Sequence, residues 1–167
     1  MDVRKALLAD VSWIVSLSER VQAALTVSGS LQQIGPLPTG LVERIVQSGT
    51  AYVLETASNR LGSVLVEPVA QVPTLPLRDW NLDTLSSPLW YLHALMLEPT
   101  EQGKGYGWHF LQGVKQLVVP TQGTIILDCF AGNEKLRNFY LCGGFSLHGI
   151  CREKNYEVAV FFYSTTS

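Results

Sequence analysis

The sequence predicts an α/β fold of the mixed kind, a β-sheet with parallel and antiparallel strands and helices against its faces, on three observations. Strand-like and helix-like patterns alternate along all 167 residues. The run Leu89 to Leu97 is apolar throughout and bounded by Pro88 and Pro99, as a central strand buried on both faces would be. Glycines follow that run at once, before a new helical pattern, so a strand hands over to a helix through a tight turn.

The elements follow in order. Asp2 to Lys5 reads as a short strand. Asp10 to about Leu25 reads as an amphipathic helix, with Asp10 as N-cap and Val11, Ile14, Val15, Leu17, Ser18 and Val21 on one face. Thr26 to Gly40 mixes Ser, Gly, Pro and Gln and is expected to be a loop bordering a substrate. A short helix from Leu41 to Gln47 then turns Leu41, Ile45 and Val46 inward. Tyr52 to Thr56 and Leu61 to Val66, separated by Ala57 to Arg60, have the spacing of an antiparallel hairpin.

Pro68, Pro73, Pro76 and Pro88 break both helix and sheet, so residues 68–88 are expected to be an insertion within a single domain spanning 1–167. After Gly107 a helix runs to about Val118, presenting Phe110, Leu111, Val114, Leu117 and Val118 as its apolar face. Thr124 to Phe130 is a buried strand and Asn133 to Leu141 a helix closed by Gly143 and Gly144. Phe145 to Ile150 and Tyr156 to Tyr163 are the last strands. Trp108, Phe110, Phe139 and Phe145 are expected in the core.

Composition bounds the function. Hydrophobic residues at 47% against 16% charged exclude disorder, and a formal charge of -2 gives no broad footprint for nucleic acid or for an anionic membrane surface. Cys129, Cys142 and Cys151 lack metal or redox spacing and read as reduced core thiols, so no metal is expected. No signal-like or membrane-spanning apolar stretch is seen, and a cytoplasmic location is expected.

The chemistry concentrates in Leu95, Met96, Leu97, Glu98, Pro99, Thr100, Glu101, Gln102, Gly103, Lys104, Gly105, Tyr106 and Gly107. A strand ending here and a helix beginning bring several backbone N–H groups together at the positive end of the helix, which suits an anion. A Walker loop needs GxxxxGK followed by Ser or Thr, and a dinucleotide fingerprint needs a small residue at Trp108 or Phe110; neither is present.

Gln102, Gly103, Lys104, Gly105, Tyr106 and Gly107 instead resemble the (Arg/Gln)-x-x-Gly-x-(Gly/Ala) signature of the GCN5-related N-acetyltransferase (GNAT) family. Asn133, Glu134, Lys135, Leu136, Arg137, Asn138, Phe139 and Tyr140, with Gly143, Gly144 and Phe145, resemble that family's later motif. Val3, Arg4, Lys5, Ala6 and Ala9, Asp10, Val11, Ile14 resemble its opening. The resemblance implies a central mixed sheet of about seven strands with about four helices, and an enzyme that moves an acetyl group from acetyl-CoA to an amine. It implies that Gly103 to Gly107, with Gln102 and Lys104, receive the CoA pyrophosphate, that Asn133 approaches CoA, and that the pantetheine arm runs along Leu95, Met96 and Leu97 where the fourth strand bulges away from the fifth. Two departures stand out: residues 68–88 form a longer stretch than usual, and no glutamate stands inside the fourth strand, where many members carry their base.

Acetyl transfer needs a neutral amine, which for a lysine-like group of pKa roughly 10.4 costs about 4.6 kcal/mol at pH 7. Strand alternation puts Tyr91, His93, Leu95 and Leu97 on one face, and His93 is either the base that takes this proton or a hydrogen-bonded core histidine. Tyr140 is implied by the resemblance as the group that donates to the departing CoA sulfur, with packing as its other reading. Glu98 reads as solvated or structural. The acceptor is a small-molecule or peptide amine; Trp80, Trp90 and Tyr91 hint at an apolar or aromatic one, and fit a homodimer contact as well. A non-catalytic acyl-CoA-binding module is the competing reading.

Overall fold

The computed structural model describes residues 1–85, 88–118 and 123–164. In chain order the elements are β1 (Asp2–Lys5), α1 (Val11–Val27), α2 (Thr39–Gln47), β2 (Ala51–Glu55), β3 (Arg60–Pro68), β4 (Leu89–Leu97), α3 (Tyr106–Val118), β5 (Thr124–Phe130), α4 (Glu134–Cys142), β6 (Ser146–Glu153) and β7 (Tyr156–Ser164). The strands form one seven-stranded sheet in the order β1-β2-β3-β4-β5-β7-β6. It is mixed: β1 with β2, β2 with β3, β5 with β7 and β6 with β7 are antiparallel, whereas β4 and β5 run parallel from Leu89↔Thr124 to Tyr91↔Ile126. Every predicted element is present, within about three residues at its ends. The chain forms two compact units, one of Met1–Val66 with His93–Gln116 and one of Glu67–Leu92 with Leu117–Ser167.

In the first unit α1 and α2 cover one face of the sheet. Val11, Ile14, Leu17 and Val21 meet Val42, Ile45, Val46, Ala51, Val53, Leu65 and Met96 in one core. Val42 takes the inward place expected of Leu41, which is half-buried. Helix α3 lies on the other face, burying Phe110, Leu111, Val114 and Val118, while Leu117 is exposed. Leu117 sits at the edge of the apolar stripe, where a hydrophobic pattern alone does not separate covered from bare. Trp108 is likewise exposed rather than core.

Two glycines set these distances. A Cβ on Gly113 would lie 2.5 Å from Val3 Cγ2, so α3 rests directly on β1. A Cβ on Gly62 would lie 2.5 Å from the Met96 carbonyl oxygen and 2.8 Å from Leu97 Cδ2, so β3 and the end of β4 approach closer than any side chain permits. Gly62→Ala is expected to force that strand end outward, at about 1–3 kcal/mol for overpacking. A thermal melt should show Tm lower by several degrees; an unchanged Tm would mean that the approach is relaxed in solution.

Asp10 occupies the N-cap position of α1, but its carboxylate makes no cap bond. It accepts instead from the Leu7 N–H at 2.8 Å, from Arg4 at 2.8 and 3.2 Å and from Arg60 at 3.0 Å, and Arg4 also holds Glu55 at 2.8 and 2.9 Å. Two arginines compete for the carboxylate and bring their charge with them, so the local cap loses. Burial pushes the Asp10 carboxyl up, but the bonds from Arg4, Leu7 and Arg60 outweigh it and hold it below the usual range; the Arg4 hydrogen bonds do the same for Glu55. Both groups are lower in the folded chain than in the unfolded one, so their stabilisation is complete above the unfolded carboxylate pKa, about 4, and is lost as pH falls through the folded values. Tm should therefore fall steeply below about pH 4 in the native protein and less steeply in Asp10→Asn; equal slopes would show that Asp10 is not part of the acid transition.

In the second unit the proline-rich stretch is less a loop than a cover. Trp80 and Leu82 are buried with Ile126, Val158 and Val160, joined by Val69, Leu75, Leu77, Leu89, Tyr91, Cys151 and Phe162. Trp80, expected as an exposed aromatic near an acceptor, is 1% exposed and belongs to this core. Its carbonyl is held at 2.7 Å by His148 Nε2. Ser86 and Ser87 of the insertion lie outside the described residues. Of the cysteines only Cys129 is a buried core thiol; Cys151 is half-buried and Cys142 exposed.

Candidate active site

The turn after β4 is built by its glycines. Beyond Leu97 the chain makes a 3-10 turn over Pro99–Glu101, then Gly103 and Gly105 adopt left-handed φ of 78° and 83°. Helix α3 starts at Tyr106, inside the motif rather than after Gly107. His109 N–H bonds to the Gly105 carbonyl at 3.4 Å, so the N–H groups of Tyr106, Gly107 and Trp108 lie in the first helical turn ahead of the intrahelical ladder. A Cβ on Gly103 or Gly105 would meet no protein atom within 4 Å. Glycine is required there for its backbone angle, and the space above the turn is open to a ligand. Gln102 is exposed, and the exposed Lys104 ammonium rests 3.0 Å from Glu101 Oε2. Donors, an open cradle and an exposed cation suit a pyrophosphate.

Strand β4 is half-buried, not buried on both faces: only Leu92 and Met96 are fully covered. Within it Ala94 has a φ of 52°, left-handed for a residue with a side chain. Ala94 and Met96 join the α1–α2 core while Leu97 faces Gly62 on the α3 side. Alternation holds within this end of the strand, but cannot be carried through Ala94 back to His93 and Tyr91. His93 is half-buried immediately before the distortion. The Met96 side chain is core, so it has only backbone to offer a ligand.

The remaining predicted residues lie in the second unit. Asn133 is the N-cap of α4, its Oδ1 accepting from Leu136 N–H at 3.0 Å, which leaves its amide NH2 as the part able to meet a ligand. Tyr140 lies on the inner face of α4, 6% exposed, its ring 5.2 Å from Phe139, 5.9 Å from Phe145 and 6.0 Å from Phe161 between centroids. Among the described residues its hydroxyl makes no hydrogen bond, yet the buried orphan polar side-chain atoms are Ser63 Oγ, Trp80 Nε1 and Trp90 Nε1. The ring is packed within this aromatic cluster. Burial, with Cys129 and Asp128 nearby, raises the phenol above its ordinary pKa. It is an O–H donor throughout the neutral range. Burial likewise pushes the Cys129 thiol up to about 11.

Sequence reasoning passed over two pairs. Tyr91 donates its hydroxyl to Asp128 Oδ1 at 2.6 Å, a charge-assisted bond that, with burial, raises the tyrosine further. Glu98 accepts a forked pair of bonds from Arg20 on α1. No short-range pattern marks either pair, because the partners are far apart in sequence. Among the described residues no group of three or more His, Cys, Asp or Glu side chains gathers as a metal site would, and no helix is long and apolar enough to cross a membrane.

Against known proteins, no curated sequence matches the chain. Solved structures do match its fold. A GNAT-family acetyltransferase from Listeria monocytogenes is 23% identical with a TM-score of 0.75, the match covering 97% of this chain and 93% of that one. The ribosomal-protein-S18-alanine N-acetyltransferase of Escherichia coli matches at 12% identity and TM-score 0.69, over 99% and 94% of the two chains. A spermidine N-acetyltransferase chimera from Vibrio cholerae matches at 14% and 0.65, over 98% and 94%. At such identities the likeness speaks for the fold. The sequence itself goes further: residues 41–144, more than half of the chain and including the whole glycine turn, match the acetyltransferase (GNAT) family. That match to a family of acetyltransferases is what decides, and the chain belongs to the acetyltransferase (GNAT) family as an acyltransferase.

Proposed function

We propose that the protein transfers an acetyl group from acetyl-CoA to the amine of a small molecule or peptide, by direct attack of that amine. The observation that carries this reading is the turn Gln102–Gly107, where two left-handed glycines and the first turn of α3 leave an open, donor-rich cradle. The pyrophosphate is received by the N–H groups from Gly103 to Gly107, with Lys104 exchanging Glu101 for a phosphate oxygen. The pantetheine arm runs along the backbone of Leu95, Met96 and Leu97, beside the distortion at Ala94, and the Asn133 amide adds a further contact. Bound acetyl-CoA supplies a thioester-activated acetyl group.

The amine nitrogen bonds to the acetyl carbon, the carbon–sulfur bond breaks, and the amine gives up a proton. His93 takes that proton, directly or through water, in place of the strand glutamate that this chain lacks. The Tyr140 O–H points its proton at the departing sulfur. A phenol raised above 10 transfers that proton uphill to a thiolate of pKa about 8.5, so Tyr140 acts by hydrogen-bond donation and leaves final protonation to solvent or to the proton that the amine released. Neighbours of known fold that acetylate a ribosomal-protein alanine or spermidine support an amine acceptor as the class.

Calorimetric titration with acetyl-CoA, followed by a panel of amines with free thiol as readout, tests the reading. Saturable binding and amine-dependent thiol release are expected. Absence of binding sinks the donor assignment, and binding without release for any amine sinks the transfer.

A further inference from the structure

The glycine turn is exposed from Gln102 to Gly105 and has two residues in the left-handed region, so its own contacts do little to hold it. Its far end is anchored by the buried Phe110 and Leu111 of α3. Its near end is anchored at Glu98. The Glu98 N–H donates to the Leu61 carbonyl at 2.8 Å, and its own carbonyl accepts from the Glu101 N–H at 2.8 Å, closing the 3-10 turn. Its carboxylate receives Arg20 Nη2 on Oε1 at 2.5 Å and Arg20 Nε on Oε2 at 3.1 Å, and Arg20 Nη1 is itself steadied by Ser16 Oγ at 2.5 Å. The other side-chain ion pair of this stretch, Lys104 with Glu101, is internal to it.

A guanidinium held on both oxygens of one carboxylate fixes direction as well as distance, which a single ammonium does not. Backbone bonds at Glu98 tie the turn to β3; among the described residues the fork is the side-chain ion pair that ties it to α1. The same stretch of α1 holds the loop before α2, since Gln22 Oε1 accepts from the N–H groups of Ile34 and Gly35, and Ser18 Oγ from that of Leu37. Helix α1 is thus the element from which both the donor turn and that loop are hung.

We infer that Arg20 is a positioning residue for the acyl donor, acting through Glu98 to hold the glycine turn in its pyrophosphate-receiving geometry; this rests on the donor assignment above. The half-exposed pair adds little to global stability, because an ion pair at this exposure is worth about 0–1 kcal/mol, so its effect falls on the turn.

The test uses three variants of the whole chain: Arg20→Gln, Glu98→Gln, and the exchanged pair Arg20→Glu with Glu98→Arg. Acetyl-CoA affinity is measured by calorimetry, with steady-state rates and Tm alongside. Each single variant should weaken acetyl-CoA about three- to fivefold and raise its KM in step, with kcat at saturating donor changed less than twofold and Tm within about 2 °C. The exchanged pair should recover most of the lost affinity, since the charges again meet. Unchanged affinity in both single variants, or a loss of affinity that only accompanies a large fall in Tm, overturns the positioning role while leaving the donor assignment intact. A wild-type protein that binds no acetyl-CoA overturns both.

Discussion

Tyr140→Phe is expected to lower turnover about a hundredfold while leaving acetyl-CoA affinity and Tm close to the wild-type values. The substitution removes one oxygen and keeps the ring against Phe139, Phe145 and Phe161, so the packing that stabilises α4 on its sheet is retained. No hydrogen bond to the Tyr140 hydroxyl is seen among the described residues, so its deletion costs little packing or pairing. If Tyr140 donates to the departing sulfur as proposed, what is lost is that O–H donor, worth roughly a hundredfold for a positioned group. Burial raises the phenol, so the wild-type rate should show no alkaline loss from Tyr140 below about pH 10. Thiol release at saturating amine is the measurement. A fall of less than threefold would mean that the sulfur leaves unaided and that Tyr140 only packs.

The fold could be read from the sequence because its signals are local. The β-rich runs at Tyr52 and Leu61, the helical stripe from Val11 to Val21 and the glycines after α4 each act within a few residues, and each lies where it was expected. What could not be read depends on partners far along the chain. Asp10 has the residue type and place of an N-cap, yet Arg60, fifty positions on, claims its carboxylate. The aromatic and aliphatic residues of 68–88 looked like loop because prolines dominate the pattern; Leu75, Leu77, Trp80 and Leu82 were the signal that this stretch covers a sheet face. Ala94 is the plainest case. Alanine has no preference for positive φ, so nothing in the sequence announced this break in β4.

The site divides in the same way. Gly103, Gly105 and Tyr140 could be proposed from the sequence because the family motifs are short and contiguous. The Arg20–Glu98 fork spans 78 positions, and Glu98 alone looked like any exposed acid beside a proline. A residue that works by holding another leaves no motif of its own.

Gly105→Val is the second substitution with a large expected effect, and the structure changes the reason for it. A Cβ at Gly105 meets no protein atom within 4 Å, so the folded chain has room for a side chain. Its φ of 83° is nonetheless one that a β-branched residue holds only under strain, of order 1–3 kcal/mol. Either the strained turn persists and two methyl groups stand in the cradle, or the turn relaxes and its N–H groups swing away. Both routes weaken acetyl-CoA, and at least a tenfold rise in Kd is expected by calorimetry. Gly49→Val is the control, with a φ of 73° and only Lys5 Nζ, at 3.5 Å, near its Cβ. It carries comparable backbone strain outside the turn, so it should lower Tm by a similar amount and leave Kd unchanged. If the two variants lose affinity equally, strain alone is being measured; if Gly105→Val binds acetyl-CoA as the wild type does, the pyrophosphate lies elsewhere.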